Sequence, residues 1–126
     1  MNISEAAEKM NLPPSTLRYY EQIGLIPPVE RKNGGVRHYT PNDLNWINFI
    51  KCMRSAGLSI EALIEYTTLF KQGDSTLQSR KELLIKENEK LIKKRLEIEE
   101  SLKMLAKKIQ NYDNIEQKVK KITETS

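Results

Sequence analysis

Residues 14–24 read Pro14-Ser15-Thr16-Leu17-Arg18-Tyr19-Tyr20-Glu21-Gln22-Ile23-Gly24. This stretch holds a helix start, side chains suited to nucleic acid, and a helix stop. Proline at a first helical position has its φ already fixed and lacks only an N–H that would be unpaired there, so Pro13-Pro14 predicts the start. Gly24 predicts the stop, because a left-handed residue commonly follows the last helical turn. At helical spacing Leu17 and Ile23 turn inward, while Ser15, Thr16, Arg18 and Tyr19 face a partner. Hydroxyls, a guanidinium and phenols are groups that bond to phosphates and base edges. Taken alone, the stretch reads more readily as an amphipathic core helix with an arginine on its wet side. Its neighbours decide.

Upstream, Asn2-Ile3-Ser4-Glu5 carries the spacing of a capping box. Ile3, Ala6, Ala7 and Met10 then give a short helix with one apolar face, and Asn11-Leu12-Pro13 is a tight turn. Two short helices joined so briefly predict a helix-turn-helix, with residues 14–24 as the recognition helix. Downstream, Leu25-Ile26-Pro27-Pro28-Val29 cannot continue a helix. Glu30–Asn33 and Val36–Thr40 flank Gly34-Gly35, which predicts a small β-hairpin closed by a two-residue primed turn. This wing presents Arg31, Lys32, Arg37 and Tyr39, placed to grip phosphates beside the groove. Lone His38 is expected as an ordinary loop histidine.

Thr40-Pro41-Asn42-Asp43 opens a third helix with a capping threonine, a proline and an acid. Leu44, Ile47, Ile50 and Met53 share its apolar side with Trp46, and Gly57 closes it. Arg54 near its end is a candidate for one more phosphate contact. Ser59 caps a fourth helix containing Ile60, Leu63, Ile64 and Thr67, which Gln72-Gly73-Asp74 breaks. From Ser75 to Ser126 there is no proline or glycine. Leu77, Leu84, Leu91, Ile98, Leu105, Tyr112 and Val119 recur every seven residues, and Leu102 and Ile109 fill the other seam position in the second half. Such a period predicts a coiled coil. A helix over 75–122 would extend about 70 Å at about 1.5 Å per residue. It cannot bury its own stripe, and a second copy of the chain is the simplest partner.

Composition narrows the classes further. A chain of 126 residues makes one domain with an extension, and its net charge of +4 permits nucleic acid as a partner. No apolar run exceeds three residues and Met1 to Lys9 is polar, so neither a membrane span nor a signal peptide is expected, and the protein is predicted to be cytoplasmic. The single cysteine, Cys52, excludes an intrachain disulfide and a multi-cysteine zinc site. The lone His and Cys fall in different elements with no acid–base constellation, so the chain is not read as an enzyme. No cofactor or metal is expected.

The expected architecture is therefore mainly α: a winged helix-turn-helix head with linking helices over 1–72, a long dimerisation helix over 75–122, and a tail at 123–126. This order resembles the MerR family of bacterial transcription regulators. The resemblance rests on Thr16-Leu17-Arg18-Tyr19-Tyr20-Glu21, Gly24-Leu25, Gly35-Val36-Arg37-His38-Tyr39 and Gly57-Leu58-Ser59, and spans residues 1 to about 110. It departs at Val36, where the family usually has an aromatic residue.

The resemblance implies a homodimer whose long helices pair antiparallel, bound to double-stranded promoter DNA. In such regulators the promoter spacer is overlong, and the activated dimer bends and untwists it so that RNA polymerase meets both elements; recognition is then partly deformation. Carried over by residue, it assigns DNA contacts to Ser15, Thr16, Arg18, Tyr19 and Tyr20 on the recognition helix, to Arg31, Arg37 and Tyr39 on the wing, and to Arg54. Nothing after Cys52 is Cys or His, which argues against a thiolate metal site. At Cys52 the chain resembles the branch that responds to reactive aldehydes and other thiol-directed electrophiles. A buried, inert cysteine, a small non-covalent effector held between the head and the partner's rod, and a coiled-coil interaction protein without a specific DNA site are the alternatives.

Overall fold

The computed structural model describes the backbone of residues 1–125 and the side chains of residues 1–124. The elements run α1 (Ile3–Met10), α2 (Pro14–Gln22), β1 (Arg31–Lys32), β2 (Val36–Arg37), α3 (Pro41–Ala56), α4 (Ile60–Lys71), a 3-10 turn (Asp74–Thr76) and α5 (Leu77–Thr125).

Helix starts are set by local hydrogen bonds. Asn2 accepts from the Glu5 N–H while the Glu5 carboxylate accepts from the Asn2 N–H, and Thr40 and Asp43 repeat that reciprocal pair at α3. The Ser59 hydroxyl accepts from Ala62 at α4. Stops are equally local. Gly24 sits at φ +83°, and beyond α2 the Leu25 N–H bonds to Tyr20 O at 2.8 Å and the Gly24 N–H to Glu21 O at 3.2 Å. This pair of bonds is a Schellman closure, and it turns the chain back toward the head.

The wing differs from its expected form. Arg31 pairs with Arg37 and Lys32 with Val36, so the loop is Asn33-Gly34-Gly35, three residues and not two. All three have positive φ, and asparagine tolerates the left-handed region well enough to join the two glycines there.

The chain divides into two compact units within α5, between Glu87 and Asn88. In the first, Ala6 and Ala7 of α1, Leu17 and Tyr20 of α2, Leu25, Ile26, Val29 and Tyr39 from the connecting segments, Leu44, Ile47 and Ile50 of α3, and Leu58 and Leu63 are buried together. Long-range bonds from α3 and α4 tie its elements. The buried Thr67 hydroxyl of α4 lies 2.8 Å from Leu25 O, holding the segment after the recognition helix, and the Lys51 ammonium of α3 donates to Met10 O at 2.7 Å. Beside this core, Trp46 meets Tyr66 and Phe70, Phe49 meets Tyr66, and the Arg80 guanidinium lies over the Phe70 ring.

The second unit is the continuation of α5. Its Ile98, Leu102, Leu105, Ile109, Tyr112 and Val119 are all exposed in the single chain. The helix runs past 122, where the sequence reading placed the start of a tail, and continues to Thr125; Ser126 lies outside the described residues.

Candidate nucleic-acid interface

Helix α2 is divided cleanly by its 3.6-residue period. Leu17 is fully buried and Tyr20 is only 8% exposed, whereas Ser15, Arg18 and Gln22 are exposed, Tyr19 is 45% exposed and Thr16 is intermediate. The open side thus offers two hydroxyls, a guanidinium and a phenol in two turns. Pro13 at the cap position offers no side-chain acceptor to the α2 N-terminus, where Pro14 has no N–H and the Thr16 N–H bonds to Pro13 O at 3.0 Å.

The wing meets α2 through one carboxylate. Glu21 Oε1 accepts from Arg37 Nε at 2.7 Å and Oε2 accepts from the Val29 backbone N–H at 2.9 Å. Burial alone would push the Glu21 carboxyl up, but the hydrogen bonds from Arg37 and Val29 and the charges of Arg37 and Arg31 hold it below its ordinary range. Arg37 keeps 22% of its side chain exposed, and its contact with Glu21 uses Nε only. Arg31 is exposed and donates from Nη1 to Gly35 O at 3.0 Å, bracing its own hairpin. Lys32 and Val36 are exposed beside it.

Two expected contacts are corrected. Tyr39 is 2% exposed, and its hydroxyl is buried without a hydrogen-bond partner among the described residues, so it is a core residue beneath the wing and does not present its phenol to a partner. Tyr20 also faces inward from α2. Burial pushes both phenols up from their ordinary value, more than the lowering by Arg54 at Tyr20 and by Arg37 and Arg18 at Tyr39. The physical reason is shared: a tyrosine ring brings a large apolar area, which the core takes where the period of α2 points Tyr20 inward and where the segment after β2 turns back onto the head at Tyr39. Arg54 is exposed, but its Nη1 donates to Leu58 O at 2.6 Å, so part of its fork closes the α3–α4 connection.

Cys52 is a free, exposed thiol on α3. It lines a shallow surface recess with Asn48, Lys51, Ser55 and Ala56. The Lys51 ammonium is committed to Met10 O, so the recess borders a side chain that reaches the end of α1. A second recess, lined by Asn42, Asn45, Trp46, Phe49 and Tyr66, lies between α3 and α4. Among the described residues no cluster of His, Cys, Asp and Glu could hold a metal ion, and no helix is long and apolar enough to cross a membrane.

The sequence reading missed Glu21 as a functional residue. Its signal was an acid three residues after Arg18, on a helix otherwise furnished for an anionic partner.

Residues 1–68 match the family described as MerR HTH family regulatory protein. The HTH-type transcriptional regulator AdhR of Bacillus subtilis (strain 168) is 60% identical over 92 residues, 73% of this chain and 66% of AdhR. The match therefore spans just under two thirds of that relative's length. Among solved structures, a protein described as a MerR family transcriptional regulator from Listeria monocytogenes aligns with a TM-score of 0.88 at 50% identity, over 90% of this chain and 86% of the other. HiNmlR, described as a MerR family regulator lacking the sensor domain and bound to promoter DNA, aligns with a TM-score of 0.80 at 30% identity, over 90% of each chain.

Proposed function

Because the chain belongs to the MerR family of DNA-binding transcriptional regulators, we propose that it acts as a homodimer on promoter DNA with an overlong spacer. It distorts that spacer to control transcription by RNA polymerase, and it responds to reactive aldehydes or other electrophiles through Cys52. The observation that carries the DNA part is the pairing of the open face of α2, with Ser15, Thr16, Arg18 and Tyr19, to a wing cation held against the same helix by Glu21. Such a surface positions itself on phosphates and reads bases from one side of a helix. The likeness to HiNmlR, whose structure includes promoter DNA, supports the same reading.

Dimerisation is supported by the exposed aliphatic stripe of α5. Isoleucines, leucines and a tyrosine at heptad spacing are uncovered in one chain, and a second copy supplies the matching stripe. In a symmetric dimer each head contacts one half-site, so bending of the duplex between them follows from the separation of the heads.

The sensing part rests on the exposed Cys52 thiol in its recess, since attack on an aldehyde or an electrophilic carbon requires access. A second reading, a small non-covalent effector, is favoured by the recess lined by Trp46, Phe49 and Tyr66. The test is a promoter reporter carrying wild type or Cys52→Ser, challenged with formaldehyde and methylglyoxal. Loss of induction in the variant with intact operator binding supports the thiol. Unchanged induction overturns it in favour of the aromatic recess.

A further inference from the structure

We infer that Glu21 is a positioning residue for DNA recognition, acting through Arg37: it fixes the wing cation in register with the recognition helix and directs its two Nη groups at a single backbone phosphate. The inference deepens the DNA-binding reading and rests on it.

The geometry assigns each atom of the carboxylate a task. Oε2 bonds the backbone of Val29, at the base of the wing, and Oε1 bonds Nε of Arg37, on its second strand. Glu21 itself belongs to α2, one turn after Arg18. One side chain therefore joins three points that lie on separate segments of the chain. The hairpin backbone is extended by a bond from the His38 N–H to Glu30 O at 2.8 Å and anchored where Tyr39 and Met1 exchange bonds, but those bonds do not reach the Arg37 side chain, whose hydrogen-bond partner among the described residues is Glu21. Without the carboxylate, the Arg37 side chain would sample its rotamers freely, and each phosphate bond would need that freedom to be removed on binding.

The guanidinium has two edges. With Nε engaged by Glu21, the Nη groups remain, and among the described residues they take no hydrogen bond. A planar fork held along one edge presents the other in a fixed direction, which a lysine cannot do. Arg18 stands exposed on the same helix that carries Glu21, so the carboxylate ties the wing cation to the element that bears the other one. Glu21 carries the wrong charge to contact DNA. Its removal would strengthen binding if it acted only by its charge, and this gives the inference its sign.

The experiment uses the full chain and a duplex selected by the wild-type protein from a random-sequence pool. Affinity is measured across a salt series for wild type, Glu21→Gln, Arg37→Ala, Arg37→Lys and the Glu21→Gln/Arg37→Ala double variant. Circular dichroism confirms that each variant is folded under the assay conditions. Glu21→Gln is expected to bind about tenfold more weakly, the effect of one charge-assisted hydrogen bond. Its log–log salt slope should fall by about 0.9, one phosphate's worth. The double variant should bind no worse than Arg37→Ala, because Glu21 acts through Arg37.

Arg37→Lys tests the same idea in a chain that keeps Glu21 and the charge. It should lose nearly as much as Arg37→Ala if the fork matters, and little if Arg37 is only a point charge. Glu21→Gln binding at wild-type strength or tighter, or Arg37→Lys matching wild type, overturns the inference while leaving DNA binding intact. Failure of the wild-type chain to select any duplex overturns the DNA reading and this inference with it.

Discussion

The Lys51 ammonium, on α3, donates to the carbonyl of Met10, in the last turn of α1, at 2.7 Å. The last carbonyls of a helix have no partner within it, and they lie at its negative end. Lys51 thus satisfies a group that α1 leaves open and fixes the first helix of the helix-turn-helix to the helix that bears Cys52. Lys51→Met keeps the apolar stem and removes the donor. It should lower stability by about 1 kcal/mol, seen as an earlier urea midpoint at unchanged slope.

Tyr39 offers a test of opposite sign. Its hydroxyl is buried with no partner among the described residues, so the phenol carries a desolvation cost that the ring's packing outweighs. Tyr39→Phe is expected to leave thermal stability unchanged or raise it by up to about 1 kcal/mol, whereas Tyr39→Ala should cost about 3–5 kcal/mol from the cavity left behind. If operator affinity fell sharply in a stable Tyr39→Phe protein, the placement of this residue in the core would have to give way to a direct contact.

Acid should loosen the wing before it unfolds the head. Burial raises the Glu21 pKa, but Arg37, Val29 and Arg31 together bring it below the ordinary 4.5. The native value is lower than the unfolded one, so the ionised form favours folding. That stabilisation is complete above about pH 4.5 and is lost as the pH falls through the native value. The stability gap between wild type and Glu21→Gln, followed by circular dichroism in urea, should therefore narrow as the pH is lowered below 4.5. A gap that stays constant down to full acid unfolding would show that the carboxylate's charge contributes nothing there.

Arg18 is exposed on the open face of α2 and forms no ion pair among those described. Arg18→Ala should leave the melting temperature in place and weaken operator binding by about 1–3 kcal/mol if the guanidinium reads a base. Competition with scrambled duplex separates the two uses of this side chain. Relaxed discrimination points to a base, and uniform weakening points to a phosphate.

The beginnings and ends of the four helices of the head were legible in the sequence because each is decided within four or five residues, whereas the bounds of α5, which carries no such local signal, were not. The pairs Asn2 with Glu5 and Thr40 with Asp43 bond as their spacing predicts, and Gly24 and Gly57 close their helices in left-handed geometry. The inward face of α2 was legible only in part. Leu17 was assigned to the core, but Tyr20 was assigned to DNA, because a phenol suits either surroundings and its choice depends on what packs above it. Tyr39 went the same way for the same reason. The wing's register was missed by one residue, since Asn33 can take either sign of φ and the glycines alone do not fix where the loop begins. Glu21 escaped notice because its role exists only once β2 folds back over α2, sixteen positions further along the chain.

At the hairpin tip, bulk and torsion give opposite answers. A methyl group added at Gly34 or Gly35 would meet nothing within 4 Å, so volume alone admits any amino acid there. The backbone, at φ +79° and +106°, admits very few. A saturation library at these two codons would accordingly be sieved by handedness and not by size or polarity, and a mirror-image residue introduced by chemical synthesis would fit where its natural enantiomer is refused.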